Sequence, residues 1–295
     1  MEVVKEKEWS GKTDGMPWMH RSLVFMFKWI NIRFFYAVMG FVVIFYMIFN
    51  RMGYLSMYSF FRKRFNFSPL KSFCYVYLNH FKFGQIILDR FAFYAGNKFE
   101  MEIIGNDSFT DLLKQDEGFL MLSSHVGNYE LCGYHLKSDS KKIHALIFAG
   151  EAETVMQNRA KMFDGHNICM IPVKSDMSHL FAVNNALGDG DIVSMPGDRV
   201  IGSQKSLMCR FFGADASFPY GPFATAVQRE VPILPIFVMK ESSKKYKIFV
   251  NKIDFPQEGR RNEKAPVMAQ QFAQMLESTV REYPTQWFNY YDFWS

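Results

Sequence analysis

Hydrophobic and polar positions follow three different rhythms along the chain. Near the start, Phe34–Phe49 (FFYAVMGFVVIFYMIF) is an unbroken apolar run closed by Asn50 and Arg51. Extended back through Ile30 and Ile32, it approaches the roughly 20 residues that cross a bilayer. It starts too late for a secretory signal, and no small-residue cleavage site follows it. Basic residues stand on both sides: Lys28 and Arg33 before, then Arg51, Arg62, Lys63 and Arg64 after. The positive-inside bias therefore sets no orientation, and a segment dipping into one leaflet fits the flanks as well as a full span. A buried core helix is the competing reading; membrane attachment is the expectation adopted.

The second rhythm is helical. Residues 70–94 (LKSFCYVYLNHFKFGQIILDRFAFY) are apolar at mixed three- and four-residue intervals, which predicts an amphipathic helix. The period then shortens. GFLMLSS, IHALIFA, NICMIPV, DIVSMPG, VPILPIFVM and YKIFVNKI are short apolar runs that read as strands. Helix-length stretches lie between several of them, near 129–138, 152–164, 177–187 and 220–229. A last helix, APVMAQQFAQMLESTVREY, carries Pro266 near its start and has Pro284 beyond its end. Alternating strands and helices predict an α/β fold: a central, largely parallel mixed sheet flanked by helices. The chain divides accordingly into a membrane-associated helical region, 1–95, and an α/β domain, 96–295. Ligands of such sheets collect at the carboxyl ends of the strands.

Composition sharpens this picture in one respect. The 295 residues include 32 Phe, and aromatics reach 17%, more than a soluble core requires. They concentrate in the first hundred residues and at the C-terminus, where Trp287, Phe288, Tyr290, Tyr291, Phe293 and Trp294 cluster. A lipid-facing rim is one explanation, a closing core strand the other. The net charge of +5 suits a visit to anionic lipid or an acidic protein. The basic residues are dispersed without a nucleic-acid motif, so DNA and RNA are set aside. Cys74, Cys132, Cys169 and Cys209 are far apart, form no CxxC pair and have no zinc spacing with histidine. Buried free thiols on the cytoplasmic side are the expectation.

The candidate chemistry centres on FLMLSSHVGNYELCGYHL, where a strand gives way to a helix. On one continuous helix, His125 and Glu130 would sit about 500° around the axis, roughly 140° apart, and could not face each other. A bend at Gly127–Asn128 removes that obstacle. A carboxylate on one imidazole nitrogen then leaves the other free to take a hydroxyl proton. The competing reading is a histidine packed at a strand end and a glutamate favoured at a helix N-terminus. Further on, SMPGDRVIG places Asp198 and Arg199 just beyond another apolar strand. RFFGADASFPYGPFATA joins an aromatic turn to a small-residue helix start at Gly221–Pro222.

SSHVGNYE, PGDR, FFGADASFPYGPFATA and EYPTQWFNYYDFW, in that order, resemble the late lipid A acyltransferases of the lysophospholipid acyltransferase superfamily. The resemblance runs from about residue 25 to the end. It implies a membrane-bound O-acyltransferase of the inner membrane, with its active site facing the cytoplasm. Such an enzyme moves a fatty acyl chain from acyl carrier protein to a hydroxyl of a glycolipid acceptor, without metal or organic cofactor. His125 matches the catalytic base and Glu130 its acidic partner. Gly127, Asn128, Arg159, Asp198, Arg199 and Gly213 fall at substrate-binding positions. Two departures bear on the acceptor. Many relatives follow the aspartate with Gln or His where this chain has Arg199, and the opening WSGKTDG resembles the start of a subset of members without one settled acceptor, including acyltransferases linked to other lipids; an aryl-polyene-type or other bacterial lipid is the alternative acceptor.

The mechanism expected from these residues is direct. His125, held by Glu130, deprotonates the acceptor hydroxyl, which attacks the acyl thioester, and backbone amides near Gly127–Asn128 meet the oxyanion. No GxSxG elbow and no cysteine beside a base calls for a covalent acyl-enzyme. Dispersed basic residues, among them Lys141, Lys142, Lys205 and Arg210, would steer the acidic carrier protein. The rivals are a lipid hydrolase using Ser123 or Ser124 and a catalytically silent lipid-binding protein.

Overall fold

The computed structural model describes residues 17–148, 156–157, 159–160, 167–173, 178–200 and 205–294. The WSGKTDG opening and most of the stretch expected as a helix over 152–164 lie outside them.

Four helices come first: α1 (Pro17–Met26), α2 (Ile32–Phe49), α3 (Arg51–Arg64) and α4 (Pro69–Tyr94). Short polar residues define their ends. The Asn31 side chain accepts from the Arg33 amide to start α2, and Asn50 closes α2 while its side chain caps α3 through the Gly53 amide. Ser68 caps α4, with Pro69 in the first turn where a missing N–H costs nothing.

The rest alternates as the pattern predicts: β1 (Glu100–Ile104), α5 (Asn106–Leu113), β2 (Phe119–Ser123), α6 (Cys132–His135), β3 (Ile143–Phe148), β4 (Ile168–Val173), α7 (His179–Gly188) and β5 (Ile192–Pro196). Then come β6 (Ser206–Phe211), β7 (Ala214–Pro219), α8 (Tyr220–Arg229), β8 (Ile233–Lys240), β9 (Lys245–Val250) and α9 (Arg261–Glu282). Seven strands form one sheet in the order β1-β9-β8-β2-β5-β3-β4. Only the β8–β9 pair within it is antiparallel. All six strands expected from the apolar runs are present. β1 was not expected, because EMEII alternates too briefly. The β6–β7 hairpin was not expected either, since its aromatic turn read as irregular.

Period-two alternation in β2 feeds two cores. Leu120 and Leu122 pack with Phe223 of α8 and Phe272 and Leu276 of α9. Phe119 and Met121 pack on the other face with Phe91 and Ala92 of α4. The N-terminal helices join both cores, through Val43, Met57, Phe60 and Phe61 on one side and Phe27, Ile32 and Tyr36 on the other. A buried polar knot fixes α2 and α4 to the sheet: Lys240 of β8 and Tyr36 and Tyr246 all donate to Asp89 of α4.

α2 is long and apolar enough to cross a membrane by length and composition, and 28% of that window is buried. Its outer face is aromatic, with Phe41 72% and Phe49 85% exposed and Phe34 and Phe45 beside them. The aromatics at the C-terminus behave differently. Trp287 and Phe293 belong to the larger core and Phe288 is buried as well, so they form no lipid-facing rim. They do so as an irregular segment anchored by one bridge between Val126 and Trp287 rather than as a closing strand. The cysteines also depart from expectation: Cys132 and Cys209 are buried, but Cys74 and Cys169 are exposed.

Candidate active site

β2 and β5 run parallel in a register that sets Phe119 opposite Ile192 and Ser123 opposite Pro196. The same offset carried two residues past both strand ends sets His125 opposite Asp198. The Gly197 amide donates to the Ser123 carbonyl at 2.8 Å and keeps the two chains together beyond the ladder. Asp198 then grips His125 twice: one carboxylate oxygen accepts from the His125 main-chain amide and the other meets ring Nδ1, each at 2.8 Å. Asp198 is buried, whereas the imidazole keeps 21% of its side-chain surface exposed. The ring's hydrogen bond to Asp198 is made through Nδ1 and not through Nε2.

Charges tune this pair. Burial lowers the His125 pKa, the nearby Arg199 guanidinium lowers it further, and Asp198 opposes both without prevailing. The ring is therefore neutral near pH 7, as a base must be. Burial alone would raise the Asp198 pKa, but the imidazole and Arg199 outweigh it and hold the carboxylate ionised. Arg199 itself donates to the Phe288 carbonyl at 2.7 Å and lies 5.7 Å over the Tyr291 ring.

The bend after His125 is backbone-determined. Gly127 has φ +53°, and a Cβ there would sit 1.9 Å from the Val238 carbonyl oxygen. The Gly127 amide donates to the Gln286 carbonyl and the Asn128 amide to the Val238 carbonyl, both at 2.8 Å. These two amides are consumed by the fold and do not form an oxyanion site, contrary to expectation. The Phe288 amide donates to the His125 carbonyl at 2.9 Å, and the Gln286 carboxamide pairs with both main-chain groups of Lys240. The C-terminal segment thus locks the bend after His125 to β8.

Glu130 does not hold His125. The bend leads into a single 3₁₀ turn (Tyr129–Leu131) before α6, not the continuous helix expected over 129–138. That turn carries the Glu130 carboxylate into a separate cluster. It accepts from Tyr94 and, at 3.3 Å, from Tyr134; Arg159 donates to it at 3.1 Å, and Arg90 lies 3.5 Å away. Burial would raise its pKa, but Arg90 and then Arg159 outweigh that and bring it to about 2. At neutral pH Glu130 is an ionised clamp between α4, the turn and Arg159.

The structure therefore joins His125, Gly127, Asn128, Asp198 and Arg199 in one site, and Glu130 with Arg159 in an adjoining one. Gly213 lies elsewhere. It occupies the β6–β7 turn at φ +75°, next to Phe212, whose amide donates to Glu277 of α9; its glycine serves the turn. Lys141 is no surface steering group, since its buried ammonium donates to the Asp116, Glu117 and Gly190 carbonyls. Arg210 is exposed and paired with Asp215. Arg90, Tyr94, Gln286 and Phe288 escaped sequence reasoning because their roles depend on partners many residues away.

A histidine–carboxylate pair at adjacent carboxyl ends of a parallel sheet has the parts that general base chemistry on a hydroxyl or water requires. The chain belongs to the bacterial lipid A biosynthesis acyltransferase family, whose model matches residues 90–294. It is thus an acyltransferase acting on a lipid. Among solved structures, it is similar to the 1-acyl-sn-glycerophosphate (LPA) acyltransferase PlsC from Thermotoga maritima, with a TM-score of 0.42 and 12% identity over 87% of this chain and 99% of that one. No curated protein matches the chain.

Proposed function

We propose that the protein transfers a fatty acyl chain from acyl carrier protein to a hydroxyl of a lipid A-type glycolipid at the cytoplasmic face of the inner membrane. The observation that carries the reading is the His125–Asp198 pair, bonded through Nδ1, with the imidazole partly exposed and neutral at working pH. Nε2 takes the proton of the acceptor hydroxyl while Asp198 stabilises the resulting imidazolium. The hydroxyl oxygen attacks the thioester carbonyl carbon, and the new negative charge develops in the field of Arg199. Collapse breaks the carbon–sulfur bond, and the imidazolium returns its proton to the departing thiolate. Such base catalysis is typically worth about 10²–10⁴-fold.

Neighbouring nucleophiles support direct transfer over an acyl-enzyme. Ser124 is only 1% exposed, and burial pushes the Cys132 thiol up to about 12. In this reading residues 1–95 seat the enzyme on the bilayer through the aromatic outer face of α2, and 96–295 perform the transfer. Glu130 and Arg159 position the turn beside the acceptor. Exposed Lys142 and Lys205 contribute to steering the acidic donor.

Purified full-length protein incubated with acyl–acyl carrier protein and a lipid A-type acceptor should yield one added acyl chain by mass spectrometry. His125→Ala should abolish it. Free fatty acid without an acylated acceptor would identify a hydrolase instead, and acylation confined to another lipid would replace the acceptor.

A further inference from the structure

Between the carboxyl-terminal half of α3 and the last residues of the chain lies a cavity of about 360 Å³, which the transfer chemistry leaves unused. One wall is a single helix face. Ser56, Ser59 and Lys63 follow each other at three- and four-residue spacing, with Phe60 and Arg64 alongside. The other wall is the segment from Asn289 to Trp294. The Arg64 guanidinium lies 4.3 Å from the Trp294 ring centroid. That ring is itself fixed by indole donation to the Phe211 carbonyl at 3.2 Å and by stacking on Phe60.

Neither Lys63 nor Arg64 has a carboxylate partner among the described residues. One carboxylate, Asp292, lines the cavity and accepts from the Trp294 amide at 3.2 Å. Among the described residues that line the cavity, two are cationic, one is a carboxylate and two carry hydroxyls on the helix wall. Basic residues at the end of α3 also complement its dipole. That accounts for the charge but not for a cavity furnished with serines and a guanidinium already held in place by an aromatic ring.

The location narrows the ligand. α3 follows the apolar α2 directly, and its Met52 and Leu55, the latter at the cavity, are 59% and 50% exposed. Positive charge bordering such a surface sits where lipid phosphates lie. The far wall, meanwhile, continues from Phe288, which is bonded to both His125 and Arg199.

We propose that this cavity binds the phosphate group of a lipid head group, with Lys63 and Arg64 supplying the charge and Ser56 and Ser59 the remaining hydrogen bonds. That the phosphate belongs to the acceptor rests on the acyl-transfer reading above, because the cavity's far wall begins one residue after Phe288, which is bonded to His125 and Arg199.

The test uses the full chain in detergent and two soluble probes, dihexanoyl phosphatidic acid and inorganic phosphate, with titration calorimetry as the readout. Lys63→Gln leaves the Arg64–Trp294 contact in place, and Ser59→Phe fills the cavity without changing charge. Each should weaken the lipid probe by about tenfold, while the surface control Lys244→Gln leaves it unchanged. Equal binding by wild type and both variants, or by none of them, overturns the proposal. Inorganic phosphate bound as tightly as the lipid probe overturns the lipid source. In transfer assays, Lys63→Gln should raise KM for a phosphorylated glycolipid about tenfold at constant kcat and leave a dephosphorylated one unaffected. Equal effects on both acceptors would remove the phosphate from the acceptor. If wild type binds the lipid probe but transfers no acyl group to any glycolipid, the transfer reading fails and the phosphate site stands.

Discussion

Asp198 holds His125 through both its backbone amide and its ring Nδ1, at 2.8 Å each. The pairing follows from two parallel strands that end in register. Asp198→Asn keeps the shape but loses the charge that stabilises the imidazolium. We expect kcat to fall by about 10²–10⁴-fold with little change in KM. Steady-state kinetics of Asp198→Asn beside Glu130→Gln decides which carboxylate serves the base. A larger kcat loss in Glu130→Gln, at unchanged thermal stability, would restore Glu130 to that role.

Arg199 lowers the His125 pKa by charge repulsion. Removing it in Arg199→Gln should raise that pKa, so a larger fraction of the base is protonated at any mildly acidic pH. The acid limb of the kcat/KM profile should then move to higher pH relative to wild type. An acid limb that stays put or moves down would show that Arg199 does not act on the ring.

Glu130 is buried among two arginines and two tyrosines, with its pKa lowered from 4.5 to about 2. A depressed carboxylate contributes stability that is fully present above its unfolded value and lost as pH falls through the folded one. Wild type should therefore lose this contribution between about pH 4.5 and pH 2. Glu130→Gln should lack it at neutral pH, costing about 3 kcal/mol because the buried Glu130–Arg159 ion pair is broken. Chemical denaturation at pH 7 and pH 3 checks this; a difference between the two proteins that grows on acidification would reverse the sign.

Gly127 meets the Val238 carbonyl so closely that a methyl group has no room. Gly127→Ala should destabilise the protein by about 3 kcal/mol or more and take activity with it, since the bend carrying His125 must shift. Retention of wild-type melting temperature and kcat would show that the close approach is not required.

The outer face of α2 carries Phe41 and Phe45, both well exposed. Phe41→Asp combined with Phe45→Asp removes apolar surface that makes no core contact. Thermal stability in detergent should hold while the membrane-bound fraction on cell fractionation falls. Unchanged sedimentation with membranes would place the attachment elsewhere.

Period and composition settle what depends on neighbours along the chain. Six apolar runs specified six strands, and the spacing in α4 and α8 set those helices almost to the residue. Gly127–Asn128 specified a bend, because only a few residue types take that backbone without strain. EMEII and the two halves of the Phe212–Gly213 hairpin passed unnoticed, as short strands leave little periodic signal.

The carboxylate that serves His125 was decided by the tertiary fold. Glu130 is five residues away in the chain and Asp198 seventy-three, yet the 3₁₀ turn swings Glu130 towards Arg90 and Arg159 while strand register delivers Asp198. The same holds for the Gly127 and Asn128 amides, taken by Gln286 and Val238, and for the C-terminal aromatics, which turned inward. A residue's type states which bonds it is able to make. Which partner arrives to make them is set by strand order, register and close packing, and none of these is encoded within a local window.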